Sequence, residues 1–399
     1  MITNPPKGLI FIIAMLAMIG PFSIDTYLPS FPTIEEEFGV DRALLSQSIA
    51  LYLGAFAISA LVGGPLADSF GRRPLIIGSL LIYVVASLGC AIAPTYTLFM
   101  CARLVQGVGA GICLVVGRTI TRDVYDFKNA QRVMSHIMLT STLAPAIAPI
   151  IGGELHEVFG WRGVFYFLCL FGLGLLALFY SKVPESLVHI NKKTLHPKNI
   201  GYAYFTTLTH IRFIFLTLIM TCISGGLFIY LVGTPTIIFD FLNLGTTDFY
   251  IIFIPVIGAM SLGAWISGQL AHRLHVTHTI NFAFSIMMVA SLINMGQAVW
   301  IDPSVHFTIA PLIIFSFGIG IAGPVLMLMS IDCLPANRST ASGVLGFVQT
   351  LGHALLSSLI LPILIYPSYM ALGQLTLVSI SLILWLKLSV QKNISEVDN

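Results

Sequence analysis

The stretch GPLADSFGRRP, Gly64–Pro74, is a short polar segment between two long apolar runs. The runs cover about residues 44–64 and 74–94, and a helix of about 20 apolar residues is long enough to cross a bilayer. A related segment, GQLAH at Gly268–His272, follows another apolar run 204 positions later. This spacing indicates membrane-spanning helices arranged in two similar halves.

The composition indicates that most of the chain lies in a membrane. Of the 399 residues, 57% are hydrophobic and 9% are charged, and the mean hydropathy is +0.94. Soluble domains carry about 25% charged residues, and a membrane β-barrel would show alternating segments of about ten residues. The six cysteines have no paired spacing, so we expect no disulfide framework. The prediction is an all-α polytopic membrane protein.

Twelve apolar runs are long enough to span the membrane. They predict an N-terminal six-helix bundle at 1–181, a cytoplasmic linker at 182–211 and a C-terminal six-helix bundle at 212–399. Spans 1 to 12 are predicted at about 8–30, 44–64, 74–94, 97–120, 132–153, 161–181, 212–238, 248–270, 279–300, 305–330, 340–362 and 366–388.

The distribution of positive charge predicts the orientation. With the N-terminus in the cytoplasm, fifteen lysines and arginines fall in cytoplasmic loops and tails, and only Arg42 and Arg162 fall outside. Both termini are therefore expected in the cytoplasm. Lys7 precedes an apolar run with no clear small-residue cleavage site, so we expect that run to be retained as a helix.

Further similarities between the halves support a repeat. Pro29 near the end of span 1 has a counterpart in Pro235 near the end of span 7. The glycines of Gly107–Gly111 in span 4 resemble those of Gly318–Gly323 in span 10. Two six-helix halves in parallel repeat are typical of the major facilitator architecture.

Asp25 is an acid inside span 1, where a charge costs about 2.5–3.5 kcal/mol on insertion scales. It lies about 7–8 Å from the outer end of span 1, and Arg103 lies about 9 Å from the outer end of span 4. Spans 1 and 4 both line the central cavity in a half of this type, so we expect the two residues to pair, directly or through water. Burial favours a neutral carboxyl and a guanidinium favours a charged one, so this carboxyl can exchange a proton. A static ion pair that fixes helix packing is the alternative.

Gly64–Pro74 closely resembles the signature GxLaDrxGrk between the second and third helices of the major facilitator superfamily. Gly64 would let helices approach, and Gly71 suits a tight turn. We expect a cytoplasmic gate network that clamps the inner ends of spans 2, 3 and 4, for example through Arg72 and Asp123. A basic loop that serves only topology is the alternative. The network residues are Asp68, Arg72, Arg73, Arg118, Arg122 and Asp123.

Leu98–Gly111, LFMCARLVQGVGAG, resembles the superfamily's helix 4 signature RxxqGxgaa. Arg103 and Gln106 offer hydrogen-bond donors toward the cavity. Gly107 and Gly111 offer a small face on which another helix can pack closely. Glycines alone would indicate only packing, whereas the arginine indicates a functional position.

Ala144–Gly153, APAIAPIIGG, resembles the superfamily's antiporter signature gxxxGPxxGG, with alanine in place of the first two glycines. Prolines allow the helix to bend, and the paired glycines let a partner helix come close. In the family this segment accompanies export by exchange; a kinked helix in a uniporter or symporter is the alternative. The packing positions are Pro145, Pro149, Gly152 and Gly153.

With GPFSIDTYLP at Gly20–Pro29, TRDVYD at Thr121–Asp126 and GWRGVF at Gly160–Phe165, these motifs resemble the bicyclomycin-resistance (Bcr/CflA) branch of the drug:proton antiporters. The resemblance covers nearly the whole chain and implies a bacterial inner-membrane location. Related chloramphenicol and multidrug exporters carry a second acid two turns before the helix 1 aspartate. That position here is Ala17, so one carboxylate and one arginine remain.

Weaker signals concern the substrate and metals. The candidate cavity residues are Tyr27, Gln47, Tyr52, Gln106, Gln349 and His353, with Asn294 and Gln297 as further possible contacts. His272, His275 and His278 recur every three residues. We interpret them as basic loop residues and not as metal ligands, since no acid or cysteine lies near them to complete a site.

The expected function is proton-coupled export of small amphipathic molecules by alternating access. A proton-coupled transporter of a metabolite or siderophore and a non-transporting membrane receptor are the alternatives. No GxxxxGK[ST], GxSxG or HExxH motif occurs, so we expect neither direct use of ATP nor an enzyme. The expected partners are a small-molecule substrate, protons and the lipid bilayer, without nucleic acid, metal or cofactor, and the chain is expected to be a monomer.

Overall fold

The structure is a computed structural model that describes residues 8–124, 127–187, 197–270, 275–300, 304–334, 338–360 and 366–397. Nearly all of them are helical. The helices are α1 (Leu9–Asp25), α2 (Phe31–Phe38), α3 (Arg42–Phe70), α4 (Arg72–Ile92), α5 (Tyr96–Val124), α6 (Phe127–Lys182), α7 (Pro197–Thr209), α8 (Ile211–Pro235), α9 (Tyr250–Leu270), α10 (Val276–Trp300), α11 (Val305–Asp332), α12 (Arg338–Leu355) and α13 (Pro367–Val397). A 3₁₀ turn covers Leu28–Ser30, and π-helical segments cover Thr236–Phe241 and Leu356–Ile360.

Ten segments of the described chain are long and apolar enough to cross a membrane. One of them, Leu143–Lys182, includes parts of predicted spans 5 and 6, which meet where Gly160 leaves helical geometry with a φ of 69°. Predicted span 11 is helical over Arg338–Ile360 but is not among the ten. The all-helical membrane fold is therefore confirmed, whereas the count of twelve and the cytoplasmic termini remain predictions.

Two helices are absent from the predicted spans, because they are too short to cross a membrane. The first, α2, has the sequence FPTIEEEF and buries Phe31 and Ile34. Its acids bind the two arginines assigned to the outside: Glu35 contacts Arg42 at 2.8 Å, and Glu37 contacts Arg162 at 2.6 Å. The second, α7, lies inside the expected linker.

The chain forms two compact units. Unit 1 comprises Met1–Tyr202 with Thr246–Tyr250, and unit 2 comprises Ala203–Gly245 with Ile251–Asn399. The boundary between them along the chain falls within α7.

Glycine contacts hold the helices of unit 1 together. In α5, a Cβ at Gly107 would overlap the carbonyl oxygen of Tyr52 on α3, and one at Gly111 would overlap that of Phe56. Only glycine allows backbones to approach this closely. The GVGAG segment therefore fixes α5 against α3.

Unit 2 repeats this device between the corresponding helices. A Cβ at Gly320 on α11 would overlap the carbonyl oxygen of Met260 on α9, and one at Gly263 would overlap that of Phe317. Predicted spans 8 and 10 thus meet through glycine as spans 2 and 4 do. The similarity of the two sequence halves has a counterpart in helix packing.

Candidate functional site

The candidate site centres on Arg103, a residue of α5 whose side chain is fully buried. Its Nη1 donates hydrogen bonds to the backbone carbonyl of Ser23, at 2.9 Å, and to Oε1 of Gln106, at 2.5 Å. Ser23 lies in the last turn of α1. Carbonyl groups there lack helical partners and carry the negative end of the helix dipole. The end of the first helix therefore helps to stabilise the buried cation.

Two tyrosine rings contact the guanidinium. Its central carbon lies 4.6 Å from the centre of the Tyr27 ring and 4.5 Å from that of the Tyr52 ring. Such a cation–π contact contributes about 2 kcal/mol when it is desolvated. Within the described part of the chain, Nε and Nη2 of Arg103 have no hydrogen-bond partner. Because buried polar groups are nearly always paired, these nitrogens leave capacity for another acceptor.

Hydrogen bonds connect this cation to α4. The Nε2 of Gln106 donates to Oγ of Ser87 at 2.8 Å. The hydroxyl of Ser23 bonds with the hydroxyl of Tyr83 at 2.8 Å. All four side chains are fully buried, so the network fixes Arg103 between α1, α4 and α5.

Asp25 ends α1 and is 6% exposed. It is the only buried acid among the residues that the structure describes, and its carboxyl makes no ion pair or hydrogen bond with any of them. A direct pair between Asp25 and Arg103 is not formed, because the guanidinium bonds the Ser23 carbonyl instead. Pairing through water stays a prediction. Positions 23 and 25 point about 200° apart around a helix. The similar depths of Asp25 and Arg103 along their spans therefore did not determine which face of α1 meets the arginine.

The segment that resembles the antiporter signature packs against the end of α1. A Cβ at Gly152 would overlap the carbonyl oxygen of Thr26, the residue after Asp25. A Cβ at Gly153 would overlap the Thr246 carbonyl oxygen, though less severely. Pro149 and Pro145 lie about one and two turns earlier in α6. The glycines thus bring the α6 backbone next to the acid.

A second polar cluster joins the ends of α3, α4 and α5. Arg72, the first residue of α4, is 5% exposed. Its Nη2 lies 2.7 Å from Oδ1 of Asp68, and its Nε lies 2.9 Å from Oδ2 of Asp123. Its Nη1 donates to the carbonyl of Ala67 at 2.8 Å. Each nitrogen of this guanidinium therefore has an acceptor, in contrast to Arg103.

Glu185 completes this cluster and was not predicted. Its two carboxylate oxygens accept the backbone N–H groups of Arg72 and Arg73, each at 3.0 Å. An acid at a helix N-terminus is favourable because it meets free N–H groups and the positive end of the dipole. The neighbouring Ser186 donates to Asp123 at 3.1 Å. The sequence places this acid just after span 6, within the predicted linker, and gives no signal that pairs it with α4.

The other predicted gate residues differ in their roles. Gly71 has a φ of 96° and separates α3 from α4, as the predicted tight turn requires. The expected close approach at Gly64 is wrong, since a Cβ there would meet nothing within 4 Å. Arg73 donates from Nη2 to the carbonyl of Tyr180 at 2.9 Å. Arg118 is exposed on α5, and the side chain of Arg122 lies outside the described residues.

The remaining cavity candidates are distributed over both units. Gln47 is half-buried on α3 in unit 1, whereas Gln349 and His353 lie on α12 in unit 2. Nε2 of His353 lies 2.9 Å from the hydroxyl of Ser224, and its ring stacks on Phe228 with centres 4.5 Å apart. Of the three histidines near α9, His272 lies outside the described residues.

Comparison with known proteins identifies the family. The family model described as Major Facilitator Superfamily matches residues 10–357. The chain belongs to the Major Facilitator Superfamily. It is a multi-pass membrane transporter and not an enzyme, which favours transport over the receptor alternative.

Two bacterial relatives match most of the chain. One is an uncharacterized MFS-type transporter, YdgK, from Bacillus subtilis (strain 168). It is 28% identical over 358 residues, and the match covers 88% of each chain. Another is the multidrug resistance protein MdtL of Escherichia coli (strain K12), which is 24% identical over 341 residues and covers 85% of each chain.

Solved structures of other superfamily members share the fold. A D-xylose-proton symporter superposes with a TM-score of 0.73 at 17% identity, over 94% of this chain and 97% of the symporter. The human organic anion transporter MFSD10 gives a TM-score of 0.71 at 16% identity, over 96% of this chain and 99% of that one. At these identities the match shows the fold and leaves the substrate open.

Proposed function

We propose that this transporter exports small amphipathic molecules across a bacterial inner membrane in exchange for protons, as a member of the Bcr/CflA branch of drug:proton antiporters. The name of the relative MdtL, a multidrug resistance protein, supports drug efflux. The resemblance of Ala144–Gly153 to the antiporter signature supports exchange.

The single observation that carries the proposal is the buried carboxyl of Asp25 beside an unusual buried cation. An ionisable side chain within a membrane span is expensive and is generally functional. Asp25 has no bonded partner in the described chain. Arg103, on α5, bonds the carbonyl of Ser23, which lies two residues before Asp25 on α1, and three of its N–H bonds are unpaired. A carboxyl without a fixed partner is free to gain and lose a proton.

We infer a simple coupling between these two residues. When Asp25 carries its proton, Arg103 bonds the Ser23 carbonyl and Gln106, which is the arrangement observed. When Asp25 loses its proton, the carboxylate attracts the unpaired Nε and Nη2 of Arg103. The guanidinium then moves toward Asp25 and changes its position relative to the rings of Tyr27 and Tyr52. The proton thereby changes the contacts between α1 and α5, which are both cavity helices in this family.

The available energy is sufficient for export. One proton that returns down the membrane potential releases about 2.3 kcal/mol per 100 mV. Since about 1.4 kcal/mol corresponds to a tenfold ratio, this supports a gradient of about 50-fold for a neutral solute. A pH gradient would add to that value.

The test requires a substrate, which a growth screen of a deletion strain on antibiotics, dyes and siderophore-limited media would supply. Purified protein is then reconstituted in vesicles with an imposed pH gradient. We expect wild type and the control Glu36→Gln to accumulate substrate, because Glu36 is exposed on α2. Asp25→Asn should lose accumulation yet still exchange labelled for unlabelled substrate. Uphill accumulation by Asp25→Asn would refute the assignment.

The direction of transport separates the proposal from proton-coupled import. A deletion strain that accumulates more substrate than its parent supports export. A deletion strain that takes up less of a metabolite or siderophore supports import and would contradict the export proposal.

A further inference from the structure

A cavity of about 210 Å³ lies wholly within unit 2. It is formed where α8 and α10 end and where α11 and α13 begin, together with the π-helical segment Thr236–Phe241. Its wall contains Phe241, Phe307 and Tyr366, and no charged residue lines it. Phe307 and Tyr366 are both exposed, so the cavity is open to molecules from outside the unit. Its lining favours a neutral ligand with an apolar ring.

The polar part of the lining is held by buried side chains. Asn294 and Tyr230 are 5% and 3% exposed. The Nδ2 of Asn294 donates to the Tyr230 hydroxyl oxygen at 2.6 Å and to Oε1 of the buried Gln374 at 2.7 Å. These two bonds use both hydrogens of the Asn294 amide. The orientation of the amide and of the tyrosine oxygen is therefore fixed.

The same bonds leave specific hydrogen-bonding capacity. Tyr230 accepts from Asn294, and its own hydrogen has no acceptor among the described residues. Oδ1 of Asn294 and Oε1 of Gln297 likewise accept no hydrogen bond within the described chain. The free hydroxyl hydrogen of Tyr230 thus lies in the same wall as these two free acceptors. A hydroxyl group, which both donates and accepts, matches this set, whereas a hydrocarbon would leave it unpaired.

The size of the cavity limits the ligand. An apolar protein cavity of about 150 Å³ takes one benzene molecule, so about 210 Å³ accommodates one ring with a few further atoms. Small-molecule sites are commonly apolar with a few fixed polar groups. We propose that this pocket is a binding site for a neutral, single-ring molecule that carries a hydroxyl group. The site uses only residues of unit 2 and does not depend on the role of Asp25.

The test is photolabelling of the full chain in lipid nanodiscs with 4-azidophenol, followed by peptide mapping. We expect saturable labelling of the ends of α10, α11 and α13. Phenol should compete at least tenfold better than toluene, which has the same ring size but no hydroxyl group. Labelling that does not saturate, that maps elsewhere, or that phenol and toluene suppress equally would overturn the proposal.

Variants separate binding from folding. Ala298 lines the cavity, so Ala298→Phe fills it and should abolish labelling. Asn294→Leu should retain labelling but lose the preference for phenol. Thr376→Ala, on the exposed face of α13, is the matched control and should label as wild type. Size-exclusion profiles and apparent melting temperatures show which variants are folded. Unchanged labelling of a folded Ala298→Phe protein would refute the site.

One further variant distinguishes this proposal from the proposed function. Asp25→Asn should label as wild type, because no unit 1 residue lines the cavity. Normal labelling with lost proton-driven transport supports both proposals. Normal labelling with retained transport refutes only the coupling role of Asp25, and absent labelling in wild type refutes only the pocket.

Discussion

Replacing Gly107 with alanine tests whether the close contact between α5 and α3 holds the buried cation in place. A Cβ at this position would lie 3.1 Å from the carbonyl carbon of Tyr52 and 3.2 Å from its Cα, and closer still to its carbonyl oxygen. Ordinary contacts of a Cβ begin near 3.4 Å. The two helices must therefore separate by several tenths of an ångström or more at the residue whose ring covers Arg103.

The expected magnitude combines two opposing effects. Overpacking in a close-packed interior costs about 1–3 kcal/mol, whereas alanine is favoured over glycine within a helix by about 1 kcal/mol. Gly64→Ala supplies the matched control, since it gains the same propensity and its Cβ would meet nothing within 4 Å. The free energies of unfolding of the two variants should therefore differ by about 1–3 kcal/mol.

The assay is thermal unfolding of both variants in the same detergent. For a unit of this size, 1 kcal/mol corresponds to about 2–4 °C, so Gly107→Ala should melt roughly 2–12 °C below Gly64→Ala. Transport should also fall in the Gly107 variant, because its Tyr52 ring moves away from the guanidinium. Equal melting temperatures for the two variants would refute the close-contact argument.

Three further variants test other contacts. Arg72→Gln should destabilise unit 1 by about 1–3 kcal/mol in a thermal melt, because it removes charged hydrogen bonds to two aspartates; a wild-type melting temperature would contradict this. Glu185→Ala should cost about 1 kcal/mol as the loss of a helix cap, whereas the exposed Glu154→Ala should cost nothing measurable, and equal effects would count against the cap. Gln106→Leu should cost about 1–3 kcal/mol by unpairing a buried cation. Gln349→Leu is its control, since Gln349 makes no hydrogen bond within the described chain, and a control that loses as much stability would contradict the reasoning.

The sequence predicted the positions of helices and motifs along the chain better than the contacts between them. Hydropathy and turn residues are local, so the runs around Gly64–Pro74 predicted α3 and α4 with boundaries within six residues, and the tight turn at Gly71 is confirmed by its positive φ. Contacts such as that of Glu185 with the N-terminus of α4 join residues more than 100 positions apart. They depend on how helices turn and cross, which composition and spacing do not encode.

The interpretation of Asp25 and Arg103 shows the same limit in one pair. Counting residues gave each a depth along its own helix, and the structure places Arg103 against the last turn of α1. The count did not give the direction in which each side chain points. The Ser23 carbonyl, a backbone group that any residue could provide, therefore occupies the place expected for the carboxylate.

The repeat predicts backbone packing in both halves but not their chemistry. By the offset between Pro29 and Pro235, the residue of the second half that corresponds to Asp25 is Leu231. By the offset between the glycine clusters of α5 and α11, the residue that corresponds to Arg103 is Ile314. All buried charged side chains in the described chain lie in unit 1, namely Asp25, Arg72 and Arg103. Glycine contacts that need only small residues persist in both halves, whereas a buried charge, being costly, is present only in one. Proton exchange is therefore expected to depend on unit 1, while unit 2 offers apolar and neutral polar surfaces suited to recognising a solute.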